Sequence, residues 1–173
     1  DSGPSFNSEA NSGNRILVPA LKGMGIAQLD SLILTHNDSD HTGGSLSVMQ
    51  AIPVSLLYSS LPDDSPILLQ AAQTQRCSDG QSWDWDGVHF ELLHPARDDY
   101  AAEKIISNDL GCVLRISVGQ NSVLLAADIE KKSERRLLEL HPDKLGSTML
   151  VVPHHGSKTS STSKFVAAVH PRH

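Results

Sequence analysis

The sequence predicts a mixed α/β (α+β) fold in which β-sheets are covered by helices. Short apolar runs of strand length recur along the chain, two pairs of them are joined by hairpin turns, and others are separated by helix-like segments. The chain has 173 residues and is 39% apolar, about 67 side chains, enough to bury one substantial core and too few for two independent ones. A single domain over 1–173 is therefore expected.

From Phe6 to Arg15 the composition is Asn, Ser, Gly and Glu, that of a mobile loop. Val18-Pro19 then opens a short helix that Gly23 and Gly25 end. Leu29 to Thr35 contains Leu32-Ile33-Leu34, a run suited to a strand buried on both faces. Ser45 to Ala51 reads as helix, Val54 to Tyr58 as strand, and Pro66 to Gln75 as a helix with proline at its start. Trp83, Trp85, Val88, Phe90 and Leu92 alternate around Asp86-Gly87, a dipeptide that accepts the positive φ of a two-residue hairpin turn. Cys112 to Val118 and Val123 to Ala127, joined by Gly119-Gln120-Asn121, form a second hairpin. Glu130 to Leu140 follows as a charged helix and Thr148 to Val152 as the last strand; Ser157 to Lys164 is biased toward Ser, Thr and Lys.

Composition narrows the function. The formal charge is −6, which excludes a wholly basic nucleic-acid binder and confines any such contact to a local patch. No apolar window of about 18 residues is present and residue 1 does not open a signal peptide, so this piece is expected to be soluble. Nine His and twenty acidic residues beside only two Cys favour a hard or borderline metal on nitrogen and oxygen over a Cys-rich zinc site.

Four candidate ligands crowd into six positions: His36, Asp38, Asp40 and His41, directly after a predicted strand and before Gly43-Gly44. In a tight loop His36 and Asp38 turn toward one point and Asp40 and His41 toward a neighbouring one, so two sites become possible. The glycines are expected to let the backbone turn sharply and bring a helix N-terminus near the site. The alternative is a solvated polar turn with Asp40 as a helix N-cap. Asp128 ends the run Val123 to Ala127, and His154-His155-Gly156 ends Met149 to Pro153. If these strands run parallel to Leu32-Ile33-Leu34, His36, Asp128 and His154 share one rim; taken alone, Asp128 reads as the N-cap of the helix after it and His155 as a surface residue.

The loop His36-Asn37-Asp38-Ser39-Asp40-His41-Thr42-Gly43-Gly44 resembles the signature of the metallo-β-lactamase superfamily, with Asp38 where a middle His is usual. With Leu125-Ala126-Ala127-Asp128-Ile129-Glu130 and Val152-Pro153-His154-His155-Gly156-Ser157-Lys158-Thr159-Ser160-Ser161, the chain is similar almost end to end to the C-terminal domain of ComEC proteins, the DNA-uptake channels of bacterial competence. Trp83-x-Trp85-Asp86-Gly87-Val88-x-Phe90 and Asn108-x-x-x-Cys112-Val113-Leu114-Arg115 extend the likeness.

The resemblance implies an αββα sandwich of two mixed sheets, truncated here at both ends, and a dinuclear centre. His36, Asp38 and Asp128 would hold one divalent ion, and Asp40, His41, Asp128 and His154 the other, with Asp128 bridging. Asp1 would orient the ligand loop from behind it, and Asn108 stands where other members have a further His. The oxygen-rich set shifts preference from zinc toward manganese or magnesium. The implied activity is hydrolysis of DNA phosphodiester bonds, with Asp40, Asp128 and His155 in the reaction and Ser157, Lys158 and Asn108 on the substrate. His155 could protonate the leaving oxygen and Lys158 could hold a phosphate, but a structural role in the loop stays open for each. The implied partners are DNA and a membrane channel in the same polypeptide, on the extracytoplasmic (periplasmic) side of the bacterial inner membrane. Another hydrolase on this scaffold, or a metal-stabilised module that only guides DNA, is the alternative.

Cys77 and Cys112 stand 35 positions apart, a spacing that permits a disulfide, and the implied compartment would preserve it. Trp83 and Trp85 share a strand face, more suggestive of core packing than of base stacking. Lys131, Lys132, Arg135 and Arg136 alternate with Glu130, Glu134 and Glu139, the pattern of a solvated helix face. His89, His94, His141, His170 and His173 have no ligand-like neighbours in sequence.

Overall fold

The computed structural model describes residues 1–7, 9–102 and 106–173, so Ser8 of the predicted loop lies outside it. The chain divides into two compact units, Asp1–Arg76 and Cys77–His173.

The first unit holds a sheet of β1 (Leu29–Leu34), β2 (Val54–Ser59) and β3 (Thr74–Arg76), in the order β1-β2-β3 and parallel throughout. Parallel neighbours need a crossover, and the segment between β1 and β2 supplies it with α2 (Ser39–Thr42) and α3 (Ser45–Ala51). Leu34 and Leu57 are wholly buried and meet Leu61 and Ile67, the last from α4 (Pro66–Gln70). The helix predicted to reach Gln75 stops at Gln70. Thr74, Gln75 and Arg76 instead pair with Leu57, Tyr58 and Ser59, and this non-local ladder overrides the local helical pattern.

The Asn-rich loop is built rather than free. Asn7 Oδ1 accepts from Glu9 N and Ala10 N, Asn11 and Asn14 cap each other's backbone N–H, and Gly13–Leu17 forms a π-helical turn that runs into α1 (Val18–Gly23). Gly43 and Gly44 carry ordinary negative φ, so a sharp turn is not what requires them. Close approach is. A Cβ on Gly44 would lie 2.3 Å from the Ser2 carbonyl oxygen and 2.4 Å from Gly13 N. The missing side chains let the Asp1–Ser5 segment lie against the loop that carries the candidate ligands.

The second unit is a five-stranded sheet of β4 (Ser82–Trp85), β5 (Val88–His94), β6 (Val113–Val118), β7 (Asn121–Leu125) and β8 (Met149–Val151), antiparallel except for the parallel β7–β8 pair. Asp86 and Gly87, both at positive φ, make the first hairpin turn. Leu93, Leu124, Ile129, Leu137 of α5 (Lys131–Leu140), Leu145, Phe165 and Val169 form the core. Phe165 and Val169 belong to α6 (Ser163–Val169), a short helix not expected from the sequence. Truncating buried Phe165 to Ala would cost about 3–5 kcal/mol. The two tryptophans are not core: Trp85 is 43% exposed, and Trp83 lies flat on Phe90 with ring centroids 5.3 Å apart.

Cys77 and Cys112 are joined by a disulfide, with both residues buried. Beside it His94 is buried, and its Nδ1–H donates to the Gly111 carbonyl at 2.8 Å. Burial holds the His94 pKa below its ordinary 6.5, although that carbonyl and Asp99, Asp109 and Asp79 pull the other way. Below about pH 6.5 the unfolded chain takes up a proton that the folded chain refuses, so stability falls as pH drops from there toward the folded pKa. Urea unfolding at about pH 7.5 and 5.5 should show this loss, and His94→Asn should flatten it. An unchanged pH slope would contradict the assignment.

Candidate functional site

Candidate side chains form one group in each unit. In the first unit β1 ends at Leu34, and the chain turns at once into Thr35 and the ligand loop. His36 is fully buried and His41 nearly so, with ring centroids 4.1 Å apart. Asp38 is the N-cap of α2, the role that sequence reasoning had considered for Asp40, and Asp40 lies in the first turn. His36 Nε2 stands 3.6 Å from Asp38 Oδ2, and His41 Nε2 stands 3.7 Å from Asp40 Oδ2.

Asp1 organises this group from the far side of the rings. Its Oδ1 accepts from Thr35 N at 2.7 Å; its Oδ2 accepts from the Thr35 hydroxyl and from His41 Nδ1, both at 2.9 Å. The Thr35 hydroxyl spends its one proton on Asp1, so toward His36 Nδ1, 2.9 Å away, it can only accept. In the neutral rings of His36 and His41, Nδ1 therefore carries the hydrogen, and the Nε2 lone pair faces a carboxylate. Sequence reasoning missed Thr35; its position between an apolar run and His36 was the available signal.

In the second unit the parallel pairing of β7 with β8 brings two strand exits to the same end. Ala127, at the positive φ of 50°, turns the chain into Asp128, and its carbonyl accepts from His154 N at 3.1 Å. Asp128 is 5% exposed. His155 Nε2 lies 3.4 Å and His154 Nε2 4.0 Å from Asp128 Oδ2. Both histidines hold positive φ, a conformation that costs a non-glycine residue of order 1–3 kcal/mol and clusters at functional sites. Ser157 is tied into the loop through Thr159, Lys158 is exposed on it, and Asn108 is buried in the 3-10 turn Ser107–Leu110.

Two acids of the helix face that the sequence reads as solvated are engaged by the loop at 154–162. Glu130, the N-cap residue of α5, accepts from the Thr159 hydroxyl at 2.8 Å and lies 3.3 Å from His154 Nδ1. Glu134 is completely buried, and its carboxylate accepts from Ser161 N and, at 2.9 Å, from Thr162 N. Neither role is visible locally, because the partners stand about 30 positions along the chain.

The donor chemistry fits divalent cations. The four imidazole–carboxylate separations, 3.4–4.0 Å, lie beyond a normal N–H···O bond of about 3.2 Å. Two ligands on one tetrahedral cation at about 2.0–2.2 Å stand roughly 3.3–3.6 Å apart. An imidazole whose Nδ1 rests on a carboxylate or hydroxyl while Nε2 faces outward is the usual arrangement of a metal ligand.

A protein-family model described as the metallo-beta-lactamase superfamily matches residues 1–173. The chain is 38% identical over 157 residues to "Competence protein ComA" of Neisseria gonorrhoeae, covering 91% of this chain and 21% of that protein. It is 35% identical over 159 residues to "Recombination protein 2" of Haemophilus influenzae (90% and 18%) and 31% identical over 169 residues to "ComE operon protein 3" of Bacillus subtilis (92% and 21%). The chain thus spans about a fifth of the length of these curated relatives. Among solved structures, CmlA, a diiron β-hydroxylase from Streptomyces venezuelae, aligns with a TM-score of 0.56 at 16% identity, covering 84% of this chain and 34% of that one. The metallo-β-lactamase SMB-1 aligns at 0.53 and 11% identity (89% and 68%). At such identities these two likenesses speak for the fold alone.

Proposed function

The chain belongs to the metallo-β-lactamase superfamily, and from that premise we propose that it is a metal-dependent nuclease, a phosphodiesterase that cleaves DNA and degrades the strand left outside during transformation. The observation that carries the metal half of this reading is the shared posture of His36, His41 and His154: each has Nδ1 on an oxygen and Nε2 toward a carboxylate. The names of the relatives, which speak of competence and recombination, support DNA as substrate.

By the family resemblance, His36, Asp38 and Asp128 would hold one ion, and Asp40, His41, Asp128 and an imidazole of the His154-His155 pair the other. With three carboxylates among six ligands, manganese is the preferred metal, ahead of zinc and magnesium. When bound, such a pair of cations supplies hydroxide at neutral pH and neutralises the oxygens of a phosphodiester during in-line displacement. Asp1 keeps His41 in one tautomer directly and His36 through Thr35, so no reorganisation of these rings is needed on binding. His155 donates the proton to the leaving oxygen, Lys158 holds a phosphate by charge, and Ser157 and Asn108 contribute hydrogen bonds to the substrate. Among the described residues no helix is long and apolar enough to cross a membrane. The relatives' greater length supports a channel portion elsewhere in the polypeptide, and the disulfide supports an extracytoplasmic location.

The test is cleavage of plasmid and single-stranded DNA with added manganese, zinc or magnesium, beside bis-nitrophenyl phosphate and a lactone. Manganese-dependent DNA cleavage that a chelator stops is expected. Metal binding without any hydrolysis would favour a DNA-guiding module, and lactone turnover without DNA cleavage would favour another hydrolase on the same scaffold.

A further inference from the structure

We infer that Glu130 and Thr159 are positioning residues that preset the ring of His154, making it the imidazole held for the cation and leaving His155 for proton delivery; this rests on the metal-dependent reading of the site. Two oxygens face His154 Nδ1: Thr159 Oγ1 at 3.2 Å and Glu130 Oε1 at 3.3 Å. The Thr159 hydroxyl donates its only proton to Glu130 at 2.8 Å. Both oxygens can therefore only accept from the ring. In the neutral imidazole the hydrogen stands on Nδ1, and Nε2 presents its lone pair toward Asp128 Oδ2.

Proximity to Asp128 favours the neighbouring ring, since His155 Nε2 is the closer at 3.4 Å. Orientation decides the other way. The His155 side chain is 66% exposed against 28% for His154, so it is the ring that a substrate oxygen can reach more openly. That accessibility suits a proton donor more than a fixed ligand.

The anchors are themselves fixed. Glu130 stands at the N-cap position of α5, and Glu134, one turn further along, grips the Ser161 and Thr162 amides; Lys131 N donates to the Thr159 carbonyl at 3.1 Å. The backbone from the Thr159 carbonyl to the Thr162 amide is thus tied to one helix. The first unit repeats the device with different residues, since Asp1, Thr35 and His36 stand in the same order of carboxylate, hydroxyl and imidazole. The two instances share no sequence, so a common physical demand explains them better than local accident.

The test is imidazole nitrogen NMR on the metal-free 173-residue chain, followed by manganese titration. His154 should appear as the Nδ1–H tautomer in the wild type. Thr159→Val and Glu130→Gln should each mix the tautomers and weaken manganese binding by about 10–100-fold, and Thr159→Ser should restore both. His154→Gln should weaken manganese binding, whereas His155→Gln should leave it unchanged. An Nε2–H tautomer at His154 in the wild type, or an affinity that follows His155 and not His154, overturns the inference. A wild-type chain that binds no manganese removes the metal reading instead, and the tautomer measurement, which needs neither metal nor activity, still decides whether Glu130 and Thr159 set the ring.

Discussion

Asp128→Ala and Asp40→Ala should each abolish manganese-dependent DNA cleavage, lowering the rate by about a thousandfold or more. In the proposed centre Asp128 serves both ions, so its loss removes a bridging charge rather than one ligand among several. Metal catalysis of phosphoryl transfer rests on several kcal/mol of charge stabilisation, and about 4 kcal/mol corresponds to three decades in rate. Asp40 is half-exposed on its loop, so its replacement should leave the fold intact, and Asp128→Asn offers a near-isosteric check at the more buried position. The measurement is initial cleavage rate at saturating manganese, alongside far-ultraviolet circular dichroism. Cleavage at the wild-type rate by either alanine variant, with the metal bound, would remove the dinuclear nuclease from consideration.

Reducing the Cys77–Cys112 bond, or replacing both residues by Ser, should destabilise the second unit by roughly 3–4 kcal/mol. The closed loop separates the two cysteines by 35 positions, and the chain-entropy model assigns about that much to a loop of this length. The loop contains β4, the β4–β5 hairpin, β5 and the 3-10 turn Ser107–Leu110 before β6. Opening it therefore enlarges the unfolded ensemble at the point where three strands must be aligned. Both cysteines are buried, so the double serine variant also places two hydroxyls in an apolar environment and should lie at the upper end of the range. Urea unfolding with and without reductant measures the effect. A change of under about 1 kcal/mol on reduction would show that the cross-link constrains little in the unfolded chain.

Legibility in the sequence followed the range over which each feature is determined. The crowding of His36, Asp38, Asp40 and His41 is a local fact, and so is the Asp86-Gly87 turn, whose positive φ values are demanded by the hairpin they close. Asp128 and the His154-His155 pair were legible because each ends an apolar run of strand length. A local pattern misled where a distant ladder was stronger: the segment ending at Arg76 has the composition of a helix but pairs with β2. It gave no reading for α6, whose apolar stretch Phe165–Val169 spans little more than one helical turn.

What the chain dictates by itself is the inventory of candidate ligands, the strand exits that carry them, and a cysteine spacing compatible with a bond. Only the folded backbone decided that Glu130 and Glu134 face a loop rather than water, that Thr35 and Thr159 sit between a carboxylate and an imidazole, and that Gly43 and Gly44 serve close approach. The reason is physical: alternation and turn preference act over a few residues, whereas the direction of a hydroxyl proton depends on which acceptor the fold brings to it.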